Sequence, residues 1–469
     1  MEIEYERNID LKLILSILAT GLMSFTGVVV ETAMNITFPT LMQEFQIGIS
    51  AVQWITTGYL LVLAVVIPVS SFLKKRFKTK SLFLFANLVF FAGTVLCAVA
   101  PSFQLLLAGR LLQGIGTGIA LPLMFNIVLE QSPLDKLGLM MGIATVITAI
   151  APAVGPSLGG AIVNSFGWRM IFVVLLPVLI LSFFAGLFSI RQVKPIETVK
   201  FDLFGYLFLV LCFVSFIFAT SLAGTAGWIS IPVVGLFILS VVTLIIFCRH
   251  SINIDAPVIN LKVFNYKPFS YSVAAFLLIQ FICLGLGFLI PNYSQIVSGE
   301  SALIAGCVLL PGCILGAVFT PFSGRLFDKL GAKKPIIAGN ILIIVSTLCF
   351  SIFAENVTSL YFAVFYLFFG AGQSFSSGNT MTNGLKQLPE KLNSDGNAVF
   401  TTLQQLAGAI ATSIVSTIVS TAQAKMPDNI AAATGSGSHN AFILLFLLAL
   451  LIILLSIRSF SYRDGNRER

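Results

Sequence analysis

Charge is what this sequence most lacks. Of its 469 residues only 10% are Asp, Glu, Lys or Arg, while 57% are hydrophobic, far from the roughly 25% charged usage of soluble domains. That shortage excludes a soluble globular chain and specifies an all-α polytopic membrane protein. Histidine is almost missing as well: His250 and His439 are the whole supply, too few for a zinc cluster. The seven cysteines contain no CxxC pair, so disulfides and metal sites are not expected and the thiols read as structural. No GxxxxGK[ST] phosphate loop occurs, which excludes an ATP-driven pump within this chain. The opening MEIEYERNID lacks a basic n-region and a small-residue cleavage site, so the first apolar run is expected to be retained. No cofactor is expected.

What the chain does have is apolar runs. Fourteen of them approach the ~20 residues that cross a bilayer as helix, from 13–38 at one end to 440–459 at the other. They lack the strict alternation of barrel strands. An even number of spans puts both termini on one side, and the basic residues test that count. With the termini cytoplasmic, 24 of the 27 Lys and Arg fall on the inner face, Arg169 and Lys425 fall outside, and Arg110 lies within a span. The formal net charge of +8 therefore sits on the cytoplasmic face of a plasma membrane, facing anionic lipid headgroups. It is not a nucleic-acid signal.

Internal repetition gives the organisation. SFLKKRFKTKS (71–81) and GRLFDKLGAKK (324–334) share a frame at an offset of 253, and QGIGTG (113–118) is echoed by FGAGQS (369–374). The echoes pair the first six spans with the last six and leave two over, a 6+2+6 arrangement: residues 1–199, 200–255 and 256–469. Parallel six-helix repeats with a site between them describe secondary transporters of the major facilitator architecture.

Five motifs carry a closer resemblance: ETAMNITFP (31–39), QWITTGYLL (53–61), RLLQGIGTG (110–118), APAVGPSLGG (151–160) and WRMIF (168–172). In this order and in these spans they resemble the fourteen-helix drug/proton antiporter family of the major facilitator superfamily (the QacA/EmrB type), and IPVSSFLKKRF is similar to its lincomycin-resistance branch. The resemblance implies a proton-coupled multidrug exporter, bacterial and monomeric, acting on small lipophilic or cationic drugs with the proton as coupling ion. A dedicated exporter of one metabolite, peptide or lipid precursor stays open as an alternative, and a non-transporting sensor or scaffold as a remote one. It also implies gating roles for Lys75, Arg76, Gly155, Pro156, Gly159, Gly160, Gly324, Asp328 and Gly331. One departure stands out: the family's cytoplasmic gating loop carries aspartate where this chain has Lys75, whereas the second copy keeps Asp328.

Glu31 is the only acid placed deep in a span and Arg110 the only base. An ionised carboxylate inside the membrane costs a few kcal/mol or more. It therefore stays neutral when closed to water and ionises when wet or paired, which are the properties of a proton carrier. Arg110 is the expected partner; permanent pairing as structural glue is the competing reading. Asn35 shares the face of Glu31, and Gln113 that of Arg110. Together with Trp54, Tyr59, Gln280, Gln373 and Asn379 they are the candidates for substrate contact, with Asn292, Gln295 and Gln404 as further polar groups of the C-terminal half.

Overall fold

The computed structural model describes residues 9–34, 37–47, 49–52, 54–197, 200–254, 257–300, 302–353, 358–426 and 428–465. Among them are fourteen helices of twenty residues or more: α1 (Leu11–Met34), α2 (Trp54–Arg76), α3 (Thr79–Ala98), α4 (Phe103–Gln131), α5 (Leu137–Phe166), α6 (Arg169–Ser189), α7 (Leu203–Ala226), α8 (Ile231–Asn253), α9 (Lys267–Ile296), α10 (Leu310–Leu330), α11 (Lys333–Phe353), α12 (Ser359–Leu385), α13 (Asn393–Lys425) and α14 (Ile430–Gly465). Twelve of these are long and apolar enough to cross a membrane. α12 carries Gln, Ser, Asn and Thr through its second half, and α13 is interspersed with Thr, Ser and Gln. The chain is thus an all-helical membrane protein.

Local chemistry sets the helix ends. Asp10, Ser102 and Asp202 accept hydrogen bonds from the backbone N–H groups of Leu13, Leu105 and Gly205, satisfying donors that a helix start leaves orphaned. The first apolar run is divided. α1 ends at Met34, and a separate helix, Phe38–Phe45, carries Pro39 in its first turn, where a missing N–H costs nothing. Asn35 lies outside the described residues.

The helices pack as two groups. In the first, α1 lies against α4, α5 and α6, and α3 against α4 and α6; in the second, α9 lies against α12, α13 and α14, and α11 against α12 and α14. The sequence repeat reappears as a repeat of contacts. Asn87 on α3 donates to Ser182 on α6 at 3.2 Å, and Asn340, 253 positions later, donates to Ser456 on α14 at 2.9 Å. Gly116 on α4 presses on Ala86 and Phe90 of α3, just as Gly372 on α12 presses on Gly339 and Ile343 of α11. Small residues let backbones approach where no hydrophobic effect drives helices together.

The hairpin of α7 and α8 bridges the groups, because α7 packs on α2 from one and on α13 from the other. Trp54 of α2 meets Phe218 of α7 with ring centroids 4.8 Å apart, and the Trp228 indole donates to Thr417 of α13. His250 and Asp202, 2.9 Å apart, tie the hairpin's two helices at the opposite end. The seven cysteines are free thiols.

A Cβ at Gly116 would lie 2.7 Å from the carbonyl oxygen of Ala86 and 2.6 Å from Cβ of Phe90, so Gly116→Leu must push α3 away from α4. The expected cost is about 1–3 kcal/mol, read as a lower melting temperature in detergent. An unchanged melting temperature would mean that the helices are not held at this distance.

Candidate functional site

The site is built around Arg110, which is fully buried on α4. A guanidinium has five donors and no acceptor, so its surroundings must supply oxygen atoms and π-electrons. Nε donates to the carbonyl of Ile55 on α2 at 3.3 Å and Nη1 to Oε1 of Gln113 at 2.8 Å. The guanidinium stacks over the Tyr59 ring at 4.2 Å, a contact worth up to about 2 kcal/mol when desolvated. Nη2 is buried without a hydrogen-bond partner among the described residues.

A second layer fixes these supports. The Gln113 amide donates to Thr94 of α3 at 2.9 Å. The Tyr59 hydroxyl lies 3.0 Å from the Gly27 carbonyl of α1 and 2.9 Å from the Thr117 hydroxyl of α4. Tyr59 and Gln113 are both fully buried. They are supports of the cation, and neither presents an open surface to a ligand.

Glu31 lies in the last turn of α1, within electrostatic reach of Arg110 and Tyr59. Its carboxylate makes no hydrogen bond or ion pair among the described residues. It is surrounded by protein, yet its side chain is partly accessible. The site therefore juxtaposes an unpaired acid and a base with a spare donor, a pair able to exchange a proton or hold an ionic cargo.

The remaining candidates fall elsewhere. Trp54 packs on Phe218 of the hairpin. Asn379 is buried on α12, donating to Ser323 of α10 at 2.6 Å and to the Phe375 carbonyl at 2.9 Å, as interhelical glue. Asn292 bonds the Phe288 carbonyl of its own helix. Gln280 is buried on α9, whereas Gln373 and Gln404 are partly exposed. The side chains of Gln295 and Pro156 lie outside the described ones.

The fold and this arrangement can now be set beside known proteins. The Major Facilitator Superfamily model matches residues 20–412. The chain belongs to the major facilitator superfamily. Lincomycin resistance protein LmrB of Listeria monocytogenes is 36% identical to it over 94% of this chain and 96% of that protein, and LmrB of Bacillus subtilis is 35% identical over 94% and 93%. A multidrug resistance protein B homolog of Mycobacterium tuberculosis is 27% identical over 83% and 73%. A crystal structure of a double-tryptophan XylE mutant shares the fold, with a TM-score of 0.65 at 14% identity over 95% of each chain.

In this facilitator Lys75, Arg76, Gly324, Asp328 and Gly331 lie at the end that carries the basic loops. Asp328 of α10 accepts from the backbone N–H groups of Gly138 and Leu139 at the start of α5, both at 3.0 Å. A carboxylate there complements the positive end of the helix. The two groups of helices nearly touch beside it: a Cβ on Gly324 would fall 2.3 Å from the Gly138 carbonyl oxygen. Gly331 ends α10 with φ +78°, a conformation that glycine adopts without strain. Gly155 and Gly159 of α5 lie against Thr32 and Ala33 of α1, beside Glu31; Gly160 is partly exposed and Arg76 exposed.

On the other seam the charges are reversed. Lys75 of α2 donates to Oδ2 of Asp395 in the first turn of α13 at 3.1 Å. Ser71 donates to Oδ1 at 2.7 Å and the Asn260 backbone N–H at 3.4 Å. Lys74 and Glu130 pair at 2.8 Å within the first group. Asn397 donates across the seam to Asn126 at 2.8 Å and to the Pro122 carbonyl at 2.9 Å. The acid that is missing at position 75 thus stands on the partner helix, already at a helix N-terminus. Sequence reasoning missed Asp395, Asn397 and Asn126; the available signal was an acid in the first turn of a helix, in the loop that mirrors the gate.

This seam makes a charge-swap prediction. Lys75→Asp sets two carboxylates face to face, a cost of several kcal/mol, and should separate spin labels at exposed Lys78 and Lys391. Adding Asp395→Asn returns a single acid facing the α13 N-terminus, as Asp328 faces α5, and should restore the shorter distance. Equal distances in all three proteins would remove the latch.

Proposed function

We propose that this protein exports lipophilic or cationic drugs in exchange for protons by alternating access, with fourteen spans arranged 6+2+6, both termini cytoplasmic and Glu31 as the proton carrier. The observation that carries this reading is that Glu31 is deep, partly accessible and unpaired beside a buried Arg110. A structural ion pair would close that carboxylate off. Lincomycin and multidrug resistance relatives support the drug class. The latches at the basic end support a form in which that end is shut, so that Glu31 meets water from the opposite face.

The energetics fit a single acid. Moving one charge through 100 mV supplies about 2.3 kcal/mol and one pH unit about 1.4. One proton thus supplies roughly 3.7 kcal/mol, enough for several hundredfold accumulation of a neutral cargo. A monovalent cation exchanged one for one moves no net charge and is left with the pH term alone.

In proteoliposomes holding an inward pH gradient, wild type should move lincomycin or tetraphenylphosphonium with one proton counted per cargo. Glu31→Gln should lose pH-driven accumulation of cargo, about tenfold for a gradient of one pH unit, while Glu31→Asp keeps part of it. Full coupling in the amide variant, or two protons per cargo, would refute the scheme. Tyr59→Phe removes the hydroxyl that joins α1 to α4 but keeps the ring under Arg110; it should lower flux far less than Tyr59→Leu, which removes both. Equal losses in the two would mean that stacking does not position Arg110.

A further inference from the structure

A small cavity lies between α2, α3 and α4, behind the seam where Asn397 meets Asn126. It is lined by Ser70 and Leu73 of α2, Leu82 of α3, and Ile119, Leu123 and Asn126 of α4. Its volume of about 10 Å³ is at the lower limit for one water molecule. One helical turn further along both helices, the buried pair Lys74 and Glu130 joins α2 to α4 at 2.8 Å.

Two polar groups of the lining lack a partner. The Ser70 hydroxyl is buried and makes no hydrogen bond among the described residues. Asn126 is oriented from across the seam: the Asn397 NH₂ group donates to the Pro122 carbonyl at 2.9 Å and to Oδ1 of Asn126 at 2.8 Å. Asn126 therefore gives its carbonyl to α13. Its own NH₂, with two protons to donate, is on the other side of the amide and donates to none of the described residues.

The internal repeat supplies the comparison. Ser323 stands 253 positions after Ser70, the offset that joins the two basic loops, and its hydroxyl accepts directly from the Asn379 amide at 2.6 Å. Counting back 256 from Asn379, the offset that joins QGIGTG to FGAGQS, gives Leu123. The first half thus has leucine where the second has the donor. Its amide, Asn126, comes three positions later on the same face of α4, and the cavity lies between that amide and the serine.

We propose that this cavity binds one ordered water molecule, which accepts from the Asn126 NH₂ and donates to the Ser70 hydroxyl, replacing the direct amide–hydroxyl bond of the second half. A wholly apolar cavity of this size stays dry, whereas two buried polar groups without partners hold a water. The lining carries no charge to bind an ion, and its four aliphatic side chains leave no place for a second water. The water is a positioning element of the inner latch. With the NH₂ of Asn126 held between α2 and α4, its carbonyl stays turned to Asn397, and one chain of hydrogen bonds joins α2, α4 and α13.

The test is a density map of the native chain with the basic end shut, sharp enough to show ordered waters, combined with distances between spin labels at Lys78 and Lys391. A peak within hydrogen-bonding reach of both Ser70 Oγ and Asn126 Nδ2 is expected, and a cavity without density overturns the site. Ser70→Thr and Ser70→Val add the same methyl group and differ only in keeping or losing the hydroxyl. The valine variant should lose the peak and raise the fraction with the basic end open by about two- to tenfold over the threonine variant, as one lost buried hydrogen bond requires. Equal open fractions in the two variants overturn the water's part in the latch, and the native map alone decides the site if either fails to fold. Neither cargo nor a pH gradient is present, so the outcome is independent of the export reading.

Discussion

The structure depends on keeping one guanidinium solvated by protein. Arg110 is out of reach of water, and an isolated charge in such a place is costly unless dipoles and π-faces replace its hydration. The sequence meets that demand with a carbonyl of α2, an amide of α4 and an aromatic face of α2, each anchored to a further helix. Fixing the base therefore fixes α1, α2, α3 and α4 relative to one another. Among the described residues one donor is left over, and the neighbouring acid has no ion-pair partner. The rigid part of the site is thus the cation, and the part free to change state is the carboxylate.

The same economy governs the closed end. Both seams join an acid to a helix N-terminus, where exposed N–H groups and the helix dipole favour negative charge. On one seam the acid comes from the opposite group of helices, as Asp328 does for α5. On the other it belongs to the helix itself, and the opposite group supplies Lys75. The electrostatic sum across each seam is attractive in both cases, so the seam stays joined without the missing loop acid. What both seams need is close backbone approach, and Gly138 and Gly324 supply it where Asp328 docks.

Rarity made part of this legible. In a chain with so little charge, an acid and a base within spans stand out, and the structure does bring Glu31 and Arg110 into one site. The internal repeat was legible too, and it returns as matched contacts at Asn87 and Asn340. Roles were harder to read. Tyr59 and Gln113 are supports because of partners far away in sequence: the Tyr59 hydroxyl meets groups 32 and 58 positions off. A polar side chain in an apolar helix bonds whatever acceptor packing brings near, which made Asn379 glue and sent Trp54 to the inserted hairpin. Asp395 drew no attention because its cation lies 320 positions away, and only the meeting of the two halves buries it.

Under the proposed proton exchange, charge conservation at the site links these parts to transport. With Glu31 ionised and Arg110 positive, the empty site is neutral. A proton on Glu31 makes it positive by one, and so does a monovalent cation held beside the ionised acid. The two loaded forms then carry the same charge and compete for one group, and exchange follows without any further device. A neutral cargo leaves the loaded site uncharged, so its exchange for a proton must move charge across the membrane and draw on the electrical potential as well. The fixed guanidinium makes this difference sharp: it cannot lose its proton, so the site's charge changes only through Glu31 or through the cargo itself. Drug charge, more than drug shape, should therefore set which part of the proton gradient the protein can use.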